Sequence, residues 1–278
     1  MRTITGVTLA ATMILSARSA PAQTPFPFTI SGNRAEARIE LQGGLLAADL
    51  SIVFESVVGL NPTALVLTAQ VVNPLTLVPR LPGGGAVGVP AAFPVLIRIE
   101  PSQSSGLAFH GIAAISLHTH NLTLQLNPPL GFYSAPTGGA FREITTSTGI
   151  GSYRAGGSTG GFSEFVIAID LRPIDTVIVE KFDRLESLLS THAPAIAPEV
   201  LADLQNRFAQ IQSFYQTGAL TAAIAESTAF ADAVKAASGS AIPDLWHAHD
   251  SVVNVAGQLR SAAETLRYSL TLKASGTP

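Results

Sequence analysis

The chain contains no cysteine. That excludes a disulfide framework, a thiol nucleophile and the lipid-modified cysteine of a bacterial lipoprotein. Charge is also sparse: Asp, Glu, Lys and Arg make up 13% of the residues, and the only lysines are Lys181, Lys235 and Lys273. No basic run exists, so the electrostatic footprint for nucleic acid or an anionic membrane is missing. With one Trp and four Tyr, the chain lacks the aromatic girdles of an outer-membrane barrel. Beyond the first residues no stretch reaches roughly 18 uninterrupted apolar side chains, so no membrane span is predicted.

What is present begins with Met1-Arg2, the apolar run Ile4–Leu15 and then Ser19-Ala20-Pro21-Ala22-Gln23. A basic start, a short apolar stretch and a small-x-small site form a secretory leader, with cleavage predicted after Ala22. The apolar run is shorter than the ~20 residues that cross a bilayer. Export to the periplasm or medium is therefore expected, and 1–22 is read as the signal peptide. Without Arg2 and Arg18 the chain keeps 14 basic against 19 acidic side chains. An exported chain without disulfides must be stabilised by its core, and it is long enough to build one or two.

Composition shifts near Arg172-Pro173. Charge is thinner before it, and Gly and Pro crowd there. This divides the mature chain into 23–172 and 173–278. In the first part, Ala35, Ala37, Ile39 and Leu41 alternate with Glu36, Arg38 and Glu40. Leu46, Ala48, Leu50, Ile52 and Phe54 alternate with Asp49, Ser51 and Glu55. A period of two means strands with one buried face. Similar runs follow at Leu65–Val71, Val95–Ile99, Leu107–Leu117, Leu122–Leu126 and Phe165–Ile169, punctuated by Gly, Pro and Asn. An antiparallel β-sandwich is expected.

The end of this part carries a resemblance. Leu130-Gly-Phe-Tyr-Ser-Ala-Pro-Thr-Gly-Gly-Ala-Phe-Arg-Glu-Ile-Thr, Gly151-Ser-Tyr-Arg and Gly161-Phe-Ser-Glu-Phe-Val-Ile-Ala resemble the closing strands of Ig-like modules in exported bacterial proteins. The whole chain is similar to an uncharacterised family of such proteins. The resemblance implies an Ig-like sandwich and no activity.

After Pro173 the period changes to that of helices. Ile178, Phe182, Leu185 and Leu189 form one stripe, and Leu201, Leu204, Phe208, Ile211 and Tyr215 form another, ending before Gly218. A third helix carries Leu220, Ile224, Ala231 and Val234. A fourth is expected from Pro243 through Leu245, His249, Val252, Ala256, Leu259, Ala263, Leu266 and Leu270. The fold class is thus α+β, a sandwich followed by about four antiparallel helices. The narrow seams suit packing within the chain, on the sandwich, or on a second copy in a homodimer.

His118-Thr119-His120 is the most suggestive motif, because residues two apart on a strand share a face and can present two metal ligands. His110 is the candidate third ligand. Against this, the apolar parity changes from Ile115 and Leu117 to Leu122 and Leu124. A bulge or tight turn at His118–Asn121 explains that change and leaves both histidines as exposed turn residues. Asn121-Leu122-Thr123 is a formal glycosylation sequon of little meaning in a bacterial exporter. In Trp246-His247-Ala248-His249-Asp250 the two histidines diverge by roughly 200° on a helix, so they form no joint site.

Gly156-Gly157-Ser158-Thr159-Gly160 fits a nucleophile elbow, and Gly83-Gly84-Gly85-Ala86-Val87-Gly88 fits a dinucleotide loop. Neither has the following helix that its chemistry requires, and both read as mobile loops. Glu36 and Glu40 lie ~13 Å apart on a strand, too far for joint acid–base work. Glu164 and Asp170 read as solvated edge positions. No catalytic set and no cofactor motif emerge. A non-enzymatic binding or envelope-structural role with an unknown protein or envelope partner is expected. The alternative is a periplasmic metal-binding protein or metal-dependent hydrolase using His118, His120 and His110.

Overall fold

The computed structural model describes residues 24–102, 105–123, 130–149, 151–248 and 252–276. The leader predicted at 1–22 lies outside these residues, as do His249 and Asp250. The architecture is α+β, with two antiparallel sheets and five α-helices. The first sheet runs in the order β1 (Thr24–Phe26), β5 (Leu65–Val71), β7 (Val95–Pro101), β13 (Glu164–Asp170), β9 (Leu130–Ala135), β10 (Arg142–Glu143). β6 (Val87–Gly88) also pairs with β13. The second sheet runs β11 (Thr145–Gly149), β12 (Ser152–Thr159), β8 (Ala108–Thr123), β4 (Leu46–Val58), β3 (Arg34–Leu41), β2 (Thr29–Ser31). β14 (Trp246–His247) pairs with β8.

One apolar core takes side chains from both sheets: Ile39, Leu50, Ile52, Phe54 and Ile115 from the second, Leu67, Ile97, Phe132, Phe165 and Ile167 from the first. The alternation read along β3 and β4 is the alternation found, with Ala35, Ala37, Ile39, Leu50 and Ile52 buried. β13 departs from it because it has two covered faces. Phe165 and Ile167 point to the shared core, whereas Val166 and Ala168 join a smaller cluster with Leu77, Leu81, Val87 and Phe141.

That position corrects the reading of Glu164 and Asp170 as solvated edge residues. β13 lies inside its sheet, and both carboxylates are buried. Glu164 receives Arg80 at 2.5 Å, Arg98 at 2.7 Å and the Gly138 N–H at 3.1 Å. Asp170 accepts three hydrogen bonds from Arg172, two from the guanidinium at 2.7 and 2.8 Å and one from the backbone N–H at 3.0 Å, and one from the Tyr133 hydroxyl at 2.5 Å. A buried carboxylate is tolerable only when ion-paired and hydrogen-bonded in this way.

Among the described residues the α-helices number five rather than about four: α1 (Pro74–Leu77), α2 (Ile174–His192), α3 (Pro198–Gln216), α4 (Leu220–Ala237) and α5 (Val255–Ala274). The additional one, α1, lies among the strands. Asn73-Pro74 had been read as punctuation, and it is a helix start: the Asn73 side chain accepts the Leu75 N–H at 3.1 Å and Pro74 occupies the first turn. The long helices stack in the order α3, α4, α5, α2, and α5 also lies on β8, β11 and β12. The predicted stripes are buried there, including Phe182, Leu185, Leu204, Phe208 and Ile211.

The fourth long helix starts at Val255, not near Pro243. Trp246 and His247 instead pair with Phe109 and Ala108, and the indole stacks on Phe109 with centroids 5.2 Å apart. Strand pairing and aromatic burial override the helical period there. Asn254 then caps α5, accepting the Gly257 N–H at 2.7 Å while donating to the Gly111 carbonyl at 2.6 Å. Two glycines permit this close approach. A Cβ on Gly257 would stand 2.5 Å from the Gly111 carbonyl oxygen, and Gly111 has φ +71° with the Glu55 carboxylate against it. Glu55 sits at a register shift in β4 that turns its side chain to α5, where Arg260 grips both its oxygens.

The glycine runs also differ from expectation. Gly156 to Thr159 are the last four residues of β12, not a mobile loop, and a Cβ on Gly157 would meet Ile144 and Phe132. Their missing side chains let neighbouring layers close. Gly83–Gly85 form a turn with positive φ at all three residues, packed against Arg172.

Candidate functional site

Two places concentrate polar chemistry. The first grows from the predicted histidines. β8 continues without a turn through His118 and His120. The parity inversion is real and falls at His120 and Asn121, both exposed between buried Thr119 and Leu122. Asn121 substitutes for the broken ladder: its side chain accepts the Ala47 N–H at 2.8 Å and donates to the Leu45 carbonyl. The histidines therefore stay on the strand, on the outward face of the second sheet.

Register brings charged partners to them. Arg38 faces Asp49 across β3 and β4, Asp49 faces His118 across β4 and β8, and His118 faces Arg154 on β12. Asp49 Oδ2 lies 2.8 Å from His120 Nε2 and 3.6 Å from His118 Nδ1. One ligand atom each from Asp49, His118 and His120 falls within a 4.8 Å set, the spacing a single metal ion requires. His110 is not part of it. It lies opposite Ser56, eight strand residues away, about 26 Å at ~3.3 Å per residue. The third candidate ligand is Asp49, an outward-facing residue of β4, in place of His110.

The cluster is already saturated by its own members. Arg38 donates to Asp49 at 2.7 Å and stands 2.8 Å from His120 Nε2, while His118 Nε2 reaches the Ser152 hydroxyl at 2.5 Å. Partial burial opposes charge on Asp49, but hydrogen bonds from Arg38 and His120 hold its carboxyl below the ordinary range. Desolvation and the nearby Arg154 hold His118 below its ordinary value, which favours the neutral, ligating form. A divalent ion here would sit beside a guanidinium.

The second place is a cleft of about 210 Å³ where the end of β12, β10 and the 158–163 segment meet α2 and α5. Lys181 and Glu143 form a buried ion pair at its wall, and Lys181 also donates to the Thr265 carbonyl at 2.9 Å and the Ser269 hydroxyl at 2.7 Å. Glu180, also lining it, is engaged by Arg172. Arg142 and Arg184 enter the same cleft with no carboxylate partner among the described residues. Desolvation and the like charge of Arg184 push Arg142 down to about 10, and desolvation lowers Arg184. The hydroxyls of Ser158 and Ser261, residues 3% and 9% exposed, are buried without a hydrogen-bond partner, and both residues line the cleft.

Sequence reasoning missed this cleft. One signal was available: Val177, Lys181, Arg184 and Leu188 recur at helical spacing on α2, placing two cations in an otherwise apolar stripe. Ser158 and Ser261 gave none, since their isolation depends on what surrounds them.

These features define an α+β protein, two antiparallel sheets with helices packed against one of them, and a cleft at the junction. The chain belongs to the family DUF6689, described as a family of unknown function, which matches residues 10–274. No curated protein and no solved structure matches it. No helix among the described residues is long and apolar enough to cross a membrane.

Proposed function

We propose that the chain is an exported, non-enzymatic binding protein of a bacterial envelope, with the sheet–helix cleft as its ligand site. The observation that carries the reading is the cleft itself, about 210 Å³ against the ~10–15 Å³ that holds one water, lined by Arg142 and Arg184 with no ion pair among the described residues. A cavity between packed layers with a few convergent polar groups is where small ligands bind. Export is supported by the leader motif, and the likeness of the closing strands to Ig-like modules fits the same compartment. The helical seams that a homodimer would use are buried within the chain, so a protein or envelope partner would dock elsewhere.

The test is native mass spectrometry of the mature chain after exposure to an extract of small molecules, against an Ala262→Phe variant that puts a ring into the cleft. A bound mass on the parent and none on the folded variant supports the reading. Binding to neither, or equally to both, overturns it. Export is tested separately by the N-terminus of the mature product, expected at Gln23.

A second reading is transition-metal binding, or metal-dependent hydrolysis, at Asp49, His118 and His120. It rests on three ligand atoms within 4.8 Å. The guanidinium of Arg38 at the same atoms weighs against it. Stoichiometric zinc in mature protein purified without an affinity tag, lost in a His118→Ala/His120→Ala variant, would promote it; no bound metal would remove it.

A further inference from the structure

The cleft is unusual in having two cations that nothing balances. Its other charged walls are matched: Glu143 with Lys181, and Glu180 with Arg172. Arg142 and Arg184 make no ion pair among the described residues, and Arg184 is a like charge acting on Arg142. Arg142 is exposed at the rim of the cleft and Arg184 is half-buried. Placing two guanidinium groups together in a partly desolvated space is unfavourable unless a negative charge joins them. Ser158 on β12 and Ser261 on α5 belong to the same wall, with their hydroxyls buried in it. Guanidinium forks match the planar carboxylate and the tetrahedral phosphate.

We propose that the cleft binds a small molecule through an oxyanion group, a carboxylate or a phosphate, gripped by Arg142 and Arg184. This rests on the reading of the cleft as the ligand site and names its ligand class. Glu180 and Glu143 do not oppose such a ligand strongly, because their charges are held by Arg172 and Lys181. The site costs stability when it is empty, since it leaves two like charges unmatched. That is a signature of binding machinery rather than of structural pairing.

The consequence separates function from folding. Arg142→Gln and Arg184→Gln each remove a charge that has no partner, so neither variant should melt below the parent in the absence of ligand. Each should nevertheless weaken oxyanion binding at least tenfold, the loss of one charge-assisted pair. The experiment is isothermal titration of the full mature chain in an oxyanion-free buffer with inorganic phosphate, succinate and uncharged succinamide, with thermal melts of every variant. Saturable binding of phosphate or succinate, lost in both Gln variants at unchanged melting temperature, supports the proposal and tells phosphate from carboxylate.

Succinamide binding as tightly as succinate overturns the oxyanion assignment while leaving the cleft as a ligand site. Binding indifferent to both arginines does the same. If neither anion binds, the oxyanion assignment falls, and the extract experiment decides by itself whether the cleft is a site at all. A Gln variant that melts well below the parent overturns the claim that these arginines are unmatched in the ligand-free protein.

Discussion

The outward face of the second sheet and the sheet–helix cleft hold similar side chains and treat them oppositely. On the sheet face, Arg38, Asp49, His118 and His120 satisfy one another across three strands while open to water. In the cleft, Arg142 and Arg184 have no ion pair and the buried hydroxyls of Ser158 and Ser261 no hydrogen-bond partner among the described residues. Residue type alone favours the histidines, whereas the accounting of partners favours the cleft. Water satisfies an exposed polar group cheaply, so a cross-strand cluster on a solvated face carries little information. A buried polar group left unmatched costs about 1–3 kcal/mol and needs a reason.

The interior pairs set the upper end of that scale. Arg172 ties β13 to α2 through Asp170, Tyr133 and Glu180 with its side chain 3% exposed. Arg172→Ala should cost about 3–5 kcal/mol, because it leaves the Asp170 carboxylate buried without its cation. Denaturant unfolding measures this, and a loss under 1 kcal/mol would mean that buried pairing here is no more consequential than the exposed kind. Next comes Gly257→Ala, which drives a methyl into the Gly111 carbonyl. About 1–3 kcal/mol is expected from overpacking at this helix–sheet contact, read in the same assay.

Acid sharpens the contrast further. Burial opposes the charge on Glu164, but Arg98, Arg80 and the Gly138 N–H hold its carboxyl below the ordinary range; Asp170 is likewise lowered, with Arg172 and Tyr133 outweighing its burial. A carboxyl lowered in the folded state contributes stability that is complete above its unfolded value of about 4 and is lost as pH falls through the folded one. Stability should therefore hold from pH 7 to about 5 and decline below about 4. Glu164→Gln should flatten that decline, and an unchanged acid limb in a pH series of melts would contradict the assignment.

The smaller effects concern the two candidate sites themselves. Arg38→Ala should raise zinc affinity at Asp49, His118 and His120 at least tenfold by freeing ligand atoms and removing a like charge, measured by competition with a chelator. No change would mean that Arg38 does not guard the cluster. Arg142→Gln should move the thermal midpoint upward by about a degree, since it relieves repulsion worth a few tenths of a kcal/mol. A clear fall would show that the cleft is as saturated as the sheet face.

Much of the fold was legible. The alternation in Ala35–Leu41 and Leu46–Phe54 and the stripes at Phe182 and Phe208 are local patterns, and burial follows them. The failures share a cause. Trp246-His247 left the helical pattern for a strand because Phe109 offered a partner far away in sequence. Glu164 was read as exposed because its strand carries a second covered face, built from residues 77–89. In the cluster, His118 and His120 were legible from their spacing, and Asp49 was not, because its place beside them is a matter of register.

Local pattern was enough to set the long strands ahead of the long helices, the faces they bury and the absence of thiol chemistry, because period and composition act within a few residues. Only the tertiary structure decided which charges are matched. Glu55 meets Arg260 across 205 residues, whereas Arg142 and Arg184, brought together from two elements, meet no carboxylate among the described residues. Electrostatic pairing acts through space, and that space exists only once the helices have closed on the sheet.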